Sequence, residues 1–242
     1  MNVSGKTVLL TGGTNGIGRE IALQMQAKGA QVITTGRNPD RVAATRAAGF
    51  EVIEADLSSA QGVDGLIAAW GEMGRELDIL INNAGQLVDH DFRNGAVDPD
   101  AADDCIYANL NAPLRLIAAL TGGLKSRPHA AIVNVTSGLA ISPAARTPVY
   151  CATKSALRFY TLALRELLKG TNVQVIEALP PVVDTQMNDG NPMKKMSAEE
   201  CARQIIVAIE KDRDEANIGL SRALRWVESV SPSLVRKITL SF

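Results

Sequence analysis

The chain has 242 residues, of which 46% are hydrophobic and 21% are charged, and its formal net charge at pH 7 is −1. This length suits one α/β domain, residues 1–242, with a sizeable core. The balanced charge and the 4% aromatic content argue against a nucleic-acid surface, which would need clustered Lys and Arg or stacking rings.

Short apolar runs alternate with helix-length segments along most of the chain. The predicted strands are Thr7–Leu10, Gln31–Thr35, Glu51–Glu54, Asp78–Asn82, Ala131–Val135, Val173–Ala178 and Asn217–Leu220. The predicted helices are Ile17–Lys28, Asp40–Ala48, Ala60–Arg75, Pro99–Leu124 and Val149–Lys169, and Gly29 and Gly49 follow two of them as expected C-terminal caps. The first six strands are rich in Val, Ile and Leu on both faces, as in a parallel sheet that is covered on both sides. The alternation predicts a Rossmann-type, doubly wound parallel sheet of about seven strands with helices on both faces.

The segment 180–197 is the least regular part of the chain, with three prolines, two asparagines and one glycine. It follows the sixth strand and is therefore expected at the carboxyl edge of the sheet, where open α/β folds bind ligands. We expect a substrate lid here. A plain surface connection is the alternative interpretation.

The sequence TGGTNGIG, residues 11–18, joins the first strand to the first helix. Gly12 allows a tight turn, Gly16 lets the backbone approach a pyrophosphate, and Gly18 lets the helix pack closely on the strand. The helix N-terminus then offers free N–H groups to the phosphates. The strand before and the helix after favour a dinucleotide site over a merely flexible turn. The residues predicted to bind the cofactor in this loop are Gly12, Thr14, Asn15, Gly16, Ile17 and Gly18.

The second strand ends in Gly36-Arg37-Asn38. An acid at this position would bind the ribose 2′-OH of NAD. Here Gly36 replaces that acid, and Arg37 can pair with a 2′-phosphate, so we predict NADP(H) in preference to NAD(H). An exposed turn cation is the competing interpretation of Arg37. Asp56, after the third strand, is expected to accept a hydrogen bond from the adenine amino group.

Three further motifs lie at strand ends or on a helix: Asn-Asn-Ala-Gly at 82–85, Thr-Ser-Gly at 136–138 and Tyr-Cys-Ala-Thr-Lys at 150–154. Tyr150 and Lys154 are four residues apart and share one helix face. A nearby ammonium lowers the pKa of a phenol toward the working range, so we expect Tyr150 to exchange a proton with the substrate. Ser137 is expected to bind the substrate oxygen, and Lys154 also to hold the nicotinamide ribose. An ordinary helix-surface pair is the alternative for Tyr150 and Lys154.

Together these segments resemble the short-chain dehydrogenase/reductase family over nearly the whole chain. The matching segments are TGGTNGIG, Asp-Leu at 56–57, NNAG at 82–85, Asn-Leu-Asn at 109–111, NVTSG at 134–138, YCATK at 150–154 and Pro-Pro…Asp-Thr at 180–185. The run PVYCATKSALRFYTLALRELL with VIEALPPVVDT is similar to the branch found with teichoic-acid D-alanylation genes. The resemblance implies an oxidoreductase that transfers a hydride between NADP(H) and a carbonyl or secondary alcohol. It also implies that Asn109 is a fourth catalytic residue, which supports a water-mediated proton relay toward Lys154.

The resemblance further implies cofactor contacts outside the first loop. These residues are Leu57, Asn83, Ala84, Gly85, Tyr150, Lys154, Pro180, Val183 and Thr185, with Val183 and Thr185 near the carboxamide. Two departures matter. Asn15 stands where NADP-preferring members often have a basic residue, so Arg37 alone carries the cofactor preference. Pro181 stands where the family usually has glycine, and we expect a stiffer turn and an altered lid geometry.

The expected substrate pocket is mostly apolar and favours a hydrophobic ketone or alcohol. Its predicted residues are Leu139, Arg146 and Met187, with Gln86, Leu87, Ile141 and Val149 as further candidates. Arg146 is expected either to meet an anionic group or to be solvated. Apolar residues on more than one face of the helices that carry Asn109 and Tyr150 predict a homodimer or homotetramer. The residues concerned are Leu114, Ile117, Leu120, Leu157, Phe159, Leu162 and Leu164.

No metal site is predicted, since Cys105, Cys151 and Cys201 form no CxxC pair and no ligand spacing with His90 or His129. The N-terminal segment lacks the long apolar stretch of a signal peptide, and no run of about 18 apolar residues predicts a membrane span. We therefore expect a cytoplasmic protein with reduced thiols. The rival hypotheses are a catalytically idle, cofactor-sensing regulator on the same fold and a sugar-nucleotide epimerase or dehydratase. The short segment after the sixth strand leaves little material for the substrate lobe of the latter.

Overall fold

The chain folds around a parallel β-sheet. The computed structural model describes residues 1–92 and 97–240, so residues 93–96, 241 and 242 of the predicted domain lie outside the described residues. The strands are β1 Thr7–Leu10, β2 Gln31–Gly36, β3 Glu51–Glu54, β4 Ile79–Asn82, β5 Ala130–Val135, β6 Val173–Leu179 and β7 Glu215–Asn217. Within the described ranges the sheet has seven strands in the order β3-β2-β1-β4-β5-β6-β7. The chain runs outward from β1 to one edge and returns to β4 beside it, which leaves a crevice between β1 and β4 at the carboxyl ends.

Helices cover both faces of this sheet. They are α1 Gly16–Ala27, α2 Pro39–Ala47, α3 Ala60–Glu72, α4 Pro99–Ile106, α5 Ala112–Lys125, α6 Pro148–Leu167, α7 Ala198–Glu210, α8 Leu220–Val230 and α9 Pro232–Thr239. Successive strand residues point to opposite faces. Val8 and Leu10 thus pack with α1 and α7 in one core cluster, whereas Leu9 packs with α3 and α5 in the other. The predicted doubly wound fold is therefore confirmed.

The last predicted strand was displaced. The sequence predicts a strand at Asn217–Leu220, but β7 begins at Glu215 and ends at Asn217. Gly219 has a positive φ of 52° and turns the chain into α8, which starts at Leu220. The edge strand therefore has the buried Ala216 between two polar residues, and Ile218 and Leu220 belong to the turn and the next helix.

The predicted helix Pro99–Leu124 is interrupted where it passes the cleft. A π-helical turn, Tyr107–Asn111, separates α4 from α5, and the N–H of Ala112 bonds to the carbonyl of Tyr107. Pro113 has no N–H for the carbonyl of Asn109, which favours such a widened turn. Turns of this kind often occur at functional sites.

The segment 180–197 forms a loop whose two ends are held together. Val183 and Met196 form an isolated parallel bridge, and the N–H of Asp184 donates to the carbonyl of Met196 at 2.7 Å. The three helices that follow, α7 to α9, are absent from the predicted elements. Within the parts of the chain that the structure describes, no helix combines the length and the apolar character needed to cross a membrane.

Candidate functional site

A cleft of about 590 Å³ opens at the carboxyl edge of the sheet. The turn after β1, the ends of β2 to β5, the start of α6 and the loop after β6 all contribute to it. Every residue predicted to bind the cofactor lines this cleft, from Gly12 in the first loop to Thr185 after β6. The structure therefore brings together residues that lie far apart in the sequence.

The glycine-rich turn is packed too closely for side chains. A Cβ on Gly12, where φ is +71°, would lie 2.9 Å from the Cα of Ala84. A Cβ on Gly18 would lie 2.2 Å from the carbonyl oxygen of Gly12. The side chain of Asn83 braces the turn by donating to the carbonyls of Thr11 at 3.0 Å and Gly12 at 3.3 Å. This tight packing leaves the backbone of the turn open to a ligand.

The N-terminus of α1 suits a bound anion. Side chains cap α2, α3, α4 and α7, namely those of Asn38, Ser59, Asp98 and Ser197. By contrast, Asn15 at the start of α1 makes no such bond, although its backbone is extended as a cap requires. The first N–H groups of α1 therefore have no side-chain acceptor, and they face the cleft where a pyrophosphate is expected. The residues present fit a dinucleotide.

Two arginines border the cleft beyond β2. Arg37 contacts Asp56, with 3.2 Å from Nη1 to Oδ1, and both side chains are about half exposed. Partial burial raises the pKa of Asp56, but hydrogen bonds from Ser58 and the charge of Arg37 outweigh it, so the net shift is downward. Arg41, which the sequence analysis missed, donates from Nη2 to the neutral amide oxygen of Gln186 at 2.5 Å. Arg41 could have been identified from the sequence, because it lies in the first turn of α2, close to the end of β2.

Ser137, Tyr150 and Lys154 meet in the same cleft, and the last two are buried. The Nζ atom of Lys154 donates to the carbonyl of Val135 at 2.8 Å and lies 5.7 Å from the centroid of the Tyr150 ring. The direction of one expected pKa shift is wrong. Burial raises the pKa of Tyr150 to about 12, although a hydrogen bond with Ser137 acts to lower it. Burial also lowers the pKa of Lys154 to about 8, so the loss of water outweighs any mutual stabilisation.

Asn109 is fully buried behind the cleft and does not line it. Its side chain accepts from the N–H of Gln86 at 2.7 Å and donates to the carbonyl of Gln86 at 2.8 Å. It also donates to Oγ1 of Thr153 at 3.1 Å. A Cβ on Gly85 would lie 3.1 Å from Oδ1 of Asn109 and 3.5 Å from Nζ of Lys154. Asn109 therefore connects the loop after β4 to α6. Gly85 lies next to both Asn109 and Lys154.

The predicted substrate residues are only partly brought together. Met187 lines the cleft, as do Gln86 and Leu87. Leu139 does not line it and lies in the 3-10 turn Gly138–Ala140, against which α8 packs. Arg146 is also outside the lining and pairs with Asp89 at 2.9 Å, with 73% of its side chain exposed. The interpretation of Arg146 as a solvated residue fits this position.

A family model described as short chain dehydrogenase matches residues 6–195. The chain belongs to the short-chain dehydrogenase family. It is 36% identical over 223 residues to the "Uncharacterized oxidoreductase DltE" of Bacillus subtilis (strain 168), which covers 89% of this chain and 88% of the relative. The family resemblance stated from the sequence is thus confirmed.

Solved structures also share the fold of this short-chain dehydrogenase. A short-chain dehydrogenase from Burkholderia cenocepacia J2315, in complex with NADP, has a TM-score of 0.88 at 25% identity and covers 99% of both chains. One from Burkholderia phymatum, in complex with NAD, has a TM-score of 0.80 at 21% identity and covers 95% of this chain and 96% of that one. The family membership makes this chain an oxidoreductase that uses a nicotinamide cofactor and a small-molecule substrate.

Proposed function

We propose that this oxidoreductase transfers a hydride between NADP(H) and a carbonyl or secondary alcohol, with Ser137, Tyr150 and Lys154 as catalytic residues. The observation that carries the proposal is the convergence of these three side chains in the cleft beside the glycine turn. A hydroxyl, a phenol and an ammonium supply the hydrogen bond, the proton and the positive charge that carbonyl reduction requires.

Each of these residues has a distinct proposed part. A bound nicotinamide dinucleotide would supply or accept the hydride. Ser137 holds the substrate oxygen, and Tyr150 gives it a proton during reduction or removes one during oxidation. Lys154 holds the ribose and replaces the proton on Tyr150, while Asn109 keeps the loop after β4 in place and supports the relay toward Lys154. The loop 180–197 closes over the substrate as a lid, with Met187 on its cleft side.

A screen of carbonyl compounds tests this proposal. Hydrophobic aromatic and alicyclic ketones are the first choice because Leu87 and Met187 line the substrate end of the cleft. The absorbance of NADPH and of NADH is followed in parallel with each compound. Substrate-dependent oxidation of NADPH supports the proposal. Tight NADPH binding without turnover across the panel would instead favour a cofactor-sensing regulator.

The preference for NADP(H) is proposed from the charges around the end of β2. Gly36 leaves no carboxylate there, and a Cβ on it would lie 2.5 Å from Cγ2 of Thr14, so an acidic side chain does not fit. Asp56 already balances the charge of Arg37. Arg41 contacts a neutral amide and therefore keeps an unbalanced positive charge for a 2′-phosphate.

We expect Arg41→Ala to weaken NADPH binding by roughly 10- to 100-fold, because a hydrogen bond to a charged group contributes about 1.5–3 kcal/mol. Binding of NADH should be unchanged, since NADH lacks the 2′-phosphate. Fluorescence titration gives both dissociation constants. Arg46→Ala is the matched control, because Arg46 is also on α2 but pairs with Glu54 and does not line the cleft. Equal weakening of NADPH and NADH would contradict the assignment of Arg41.

We expect kcat for carbonyl reduction to fall as the pH rises through about 8, because the buried Lys154 has a pKa of about 8 and loses its charge there. Tyr150 stays protonated over this range, since burial raises its pKa to about 12. A pH profile of kcat at saturating NADPH measures the effect. In Lys154→Arg the guanidinium stays charged over this pH range. The residual kcat of this variant should therefore not decrease as the pH rises through about 8. The same decrease in that variant would assign it to another group.

We also propose a homodimer or homotetramer, but with other interface residues than most of those predicted from the sequence. Ile117, Leu120, Leu157 and Leu164 are buried in the chain's own core. Phe159 and Leu167 on α6 remain mostly exposed, and Leu162 beside them is partly exposed. A second copy packed against α6 would remove these apolar side chains from water.

A further inference from the structure

A buried ion pair lies behind the catalytic residues. Glu177 on β6 is fully buried, and Nη1 of Arg158 on α6 lies 2.5 Å from its Oε2. Burying two charges costs solvation free energy that their attraction often only balances, and apolar residues of similar size can stabilise a fold equally well. Stability alone therefore gives little reason for this pair, and its other contacts indicate what it does.

On the strand side, the pair reaches Ser137 through its neighbour. Oγ1 of Thr136 donates to Oε1 of Glu177 at 2.7 Å. Thr136 lies directly between Val135, whose carbonyl binds Lys154, and Ser137. Glu177 therefore holds the end of β5 at the residue between the two that the proposed reaction uses.

On the helix side, the pair reaches Tyr150 and Lys154. Arg158 follows Lys154 by four residues and Tyr150 by eight, so all three lie on one face of α6. The contact between Arg158 and Glu177 thus fixes this face of α6 against the sheet.

The ion pair is part of a longer chain of charged side chains that alternate in sign toward the surface. Oε1 of Glu215 on β7 lies 3.7 Å from Nη2 of Arg158 and 3.8 Å from Nη2 of Arg225 on α8. Helix α8 in turn covers the turn after Ser137, where a Cβ on Gly138 would lie 2.9 Å from Oγ of Ser221. The same network therefore secures the turn that follows Ser137 from its outer side.

We propose that Glu177 and Arg158 are positioning residues, which set the hydroxyl of Ser137 relative to the phenol of Tyr150 and the ammonium of Lys154. This inference rests on the proposed function, because it assigns the pair a part in that reaction. It predicts that loss of the pair lowers kcat far more than it weakens cofactor binding, since neither side chain lines the cleft.

Substitutions at Thr136 test the link most directly. Thr136→Val keeps the shape but removes the donor to Glu177, and we expect kcat to fall about 10- to 100-fold, as a displacement of ~1 Å at a reacting group does. Thr136→Ser restores the hydroxyl and should restore kcat. Arg158→Gln should lower kcat to a similar degree. In Arg158→Gln, whose side chain lies outside the cleft lining, the Kd of NADPH, measured by fluorescence, should change much less than kcat. Thr136 lines the cleft, so its variants are judged by the loss of kcat in Thr136→Val and its rescue in Thr136→Ser.

Arg165→Gln is the matched control for Arg158→Gln. Arg165 is on the same helix and bonds the carbonyls of Val175 and Asp214, away from the catalytic residues. We expect this variant to lower the melting temperature but not kcat. An equal loss of kcat in Arg165→Gln, or unchanged kcat in folded Thr136→Val and Arg158→Gln, would overturn the inference.

Hydrogen exchange separates this inference from the proposed function. In Thr136→Val, exchange of the amides of residues 136–140 should become faster than in wild type, and in Arg165→Gln it should not. This readout needs no turnover. If the wild-type protein reduced no carbonyl compound, the proposed function would fail while hydrogen exchange still reported on the positioning of Ser137. Unchanged exchange in Thr136→Val would overturn the positioning role itself.

Discussion

Tyr150→Phe should lower kcat for carbonyl reduction by roughly two to four powers of ten, the scale of general acid–base catalysis. The substitution removes the phenolic proton but keeps the ring, which is buried beside Lys154. Because the ring still fills its place, the Kd of NADPH should be unchanged. Stopped-flow or steady-state oxidation of NADPH with the best ketone of the panel gives kcat, and fluorescence titration gives Kd.

Tyr160→Phe is the matched control for this experiment. Tyr160 is on the same helix, is half-buried and packs against the core on the α3 and α5 side of the sheet. Its loss of a hydroxyl should leave kcat unchanged. Near-normal turnover in Tyr150→Phe, or an equal loss in Tyr160→Phe, would remove Tyr150 from its proposed part as the proton donor.

The cofactor cleft could be predicted because its signals are local. The glycines of residues 11–18 stand directly between an apolar strand and a helix, and the polar motifs at 82–85 and 136–138 begin at or directly after the end of a strand. Carboxyl ends of parallel strands meet at one edge, so correct strand assignments are enough to place these motifs together. This is why all predicted cofactor residues line the same cleft.

The direction of the Tyr150 pKa shift could not be predicted in this way. The spacing of Tyr150 and Lys154 gives their shared face but not their burial. The pKa of the phenol depends on the water removed by elements from other parts of the sequence that pack against α6, such as β5 and the π-helical turn Tyr107–Asn111. Burial proved larger than the effect of the charge, and it shifted both groups toward their neutral forms.

Ion pairs were missed for a related reason. Arg158 and Glu177 are 19 residues apart and on different elements, and Arg37 and Asp56 are equally far apart. Periodicity places each residue on a face but does not give its partner. The prediction that Arg37 alone determines the preference for NADP(H) therefore overlooked two residues. Asp56 offsets the charge of Arg37, and Arg41 lies in the same cleft.

Gly18→Ala should weaken NADPH binding by roughly 10- to 100-fold, since moving one N–H donor away from the pyrophosphate loses a hydrogen bond to a charged group, which contributes about 1.5–3 kcal/mol. The new Cβ would lie 2.2 Å from the carbonyl oxygen of Gly12 and 2.5 Å from Nδ2 of Asn83. Gly12 is itself packed closely against Ala84, which limits how far the turn can move. The start of α1 must therefore shift outward, which carries its free N–H groups away from the expected pyrophosphate position.

Gly71→Ala on α3 separates this steric effect from the helix propensity of alanine. Both glycines are within helices and neither has a positive φ, but a Cβ on Gly71 meets nothing within 4 Å. Alanine there should stabilise the fold by about 0.4–1 kcal/mol and leave the Kd of NADPH unchanged. Gly18→Ala gains the same helix propensity. Any loss of NADPH affinity in that variant therefore comes from the contact of the new Cβ with the glycine-rich turn. If Gly18→Ala bound NADPH as tightly as Gly71→Ala, the close packing of α1 on the glycine turn would not be what holds the phosphate site in shape.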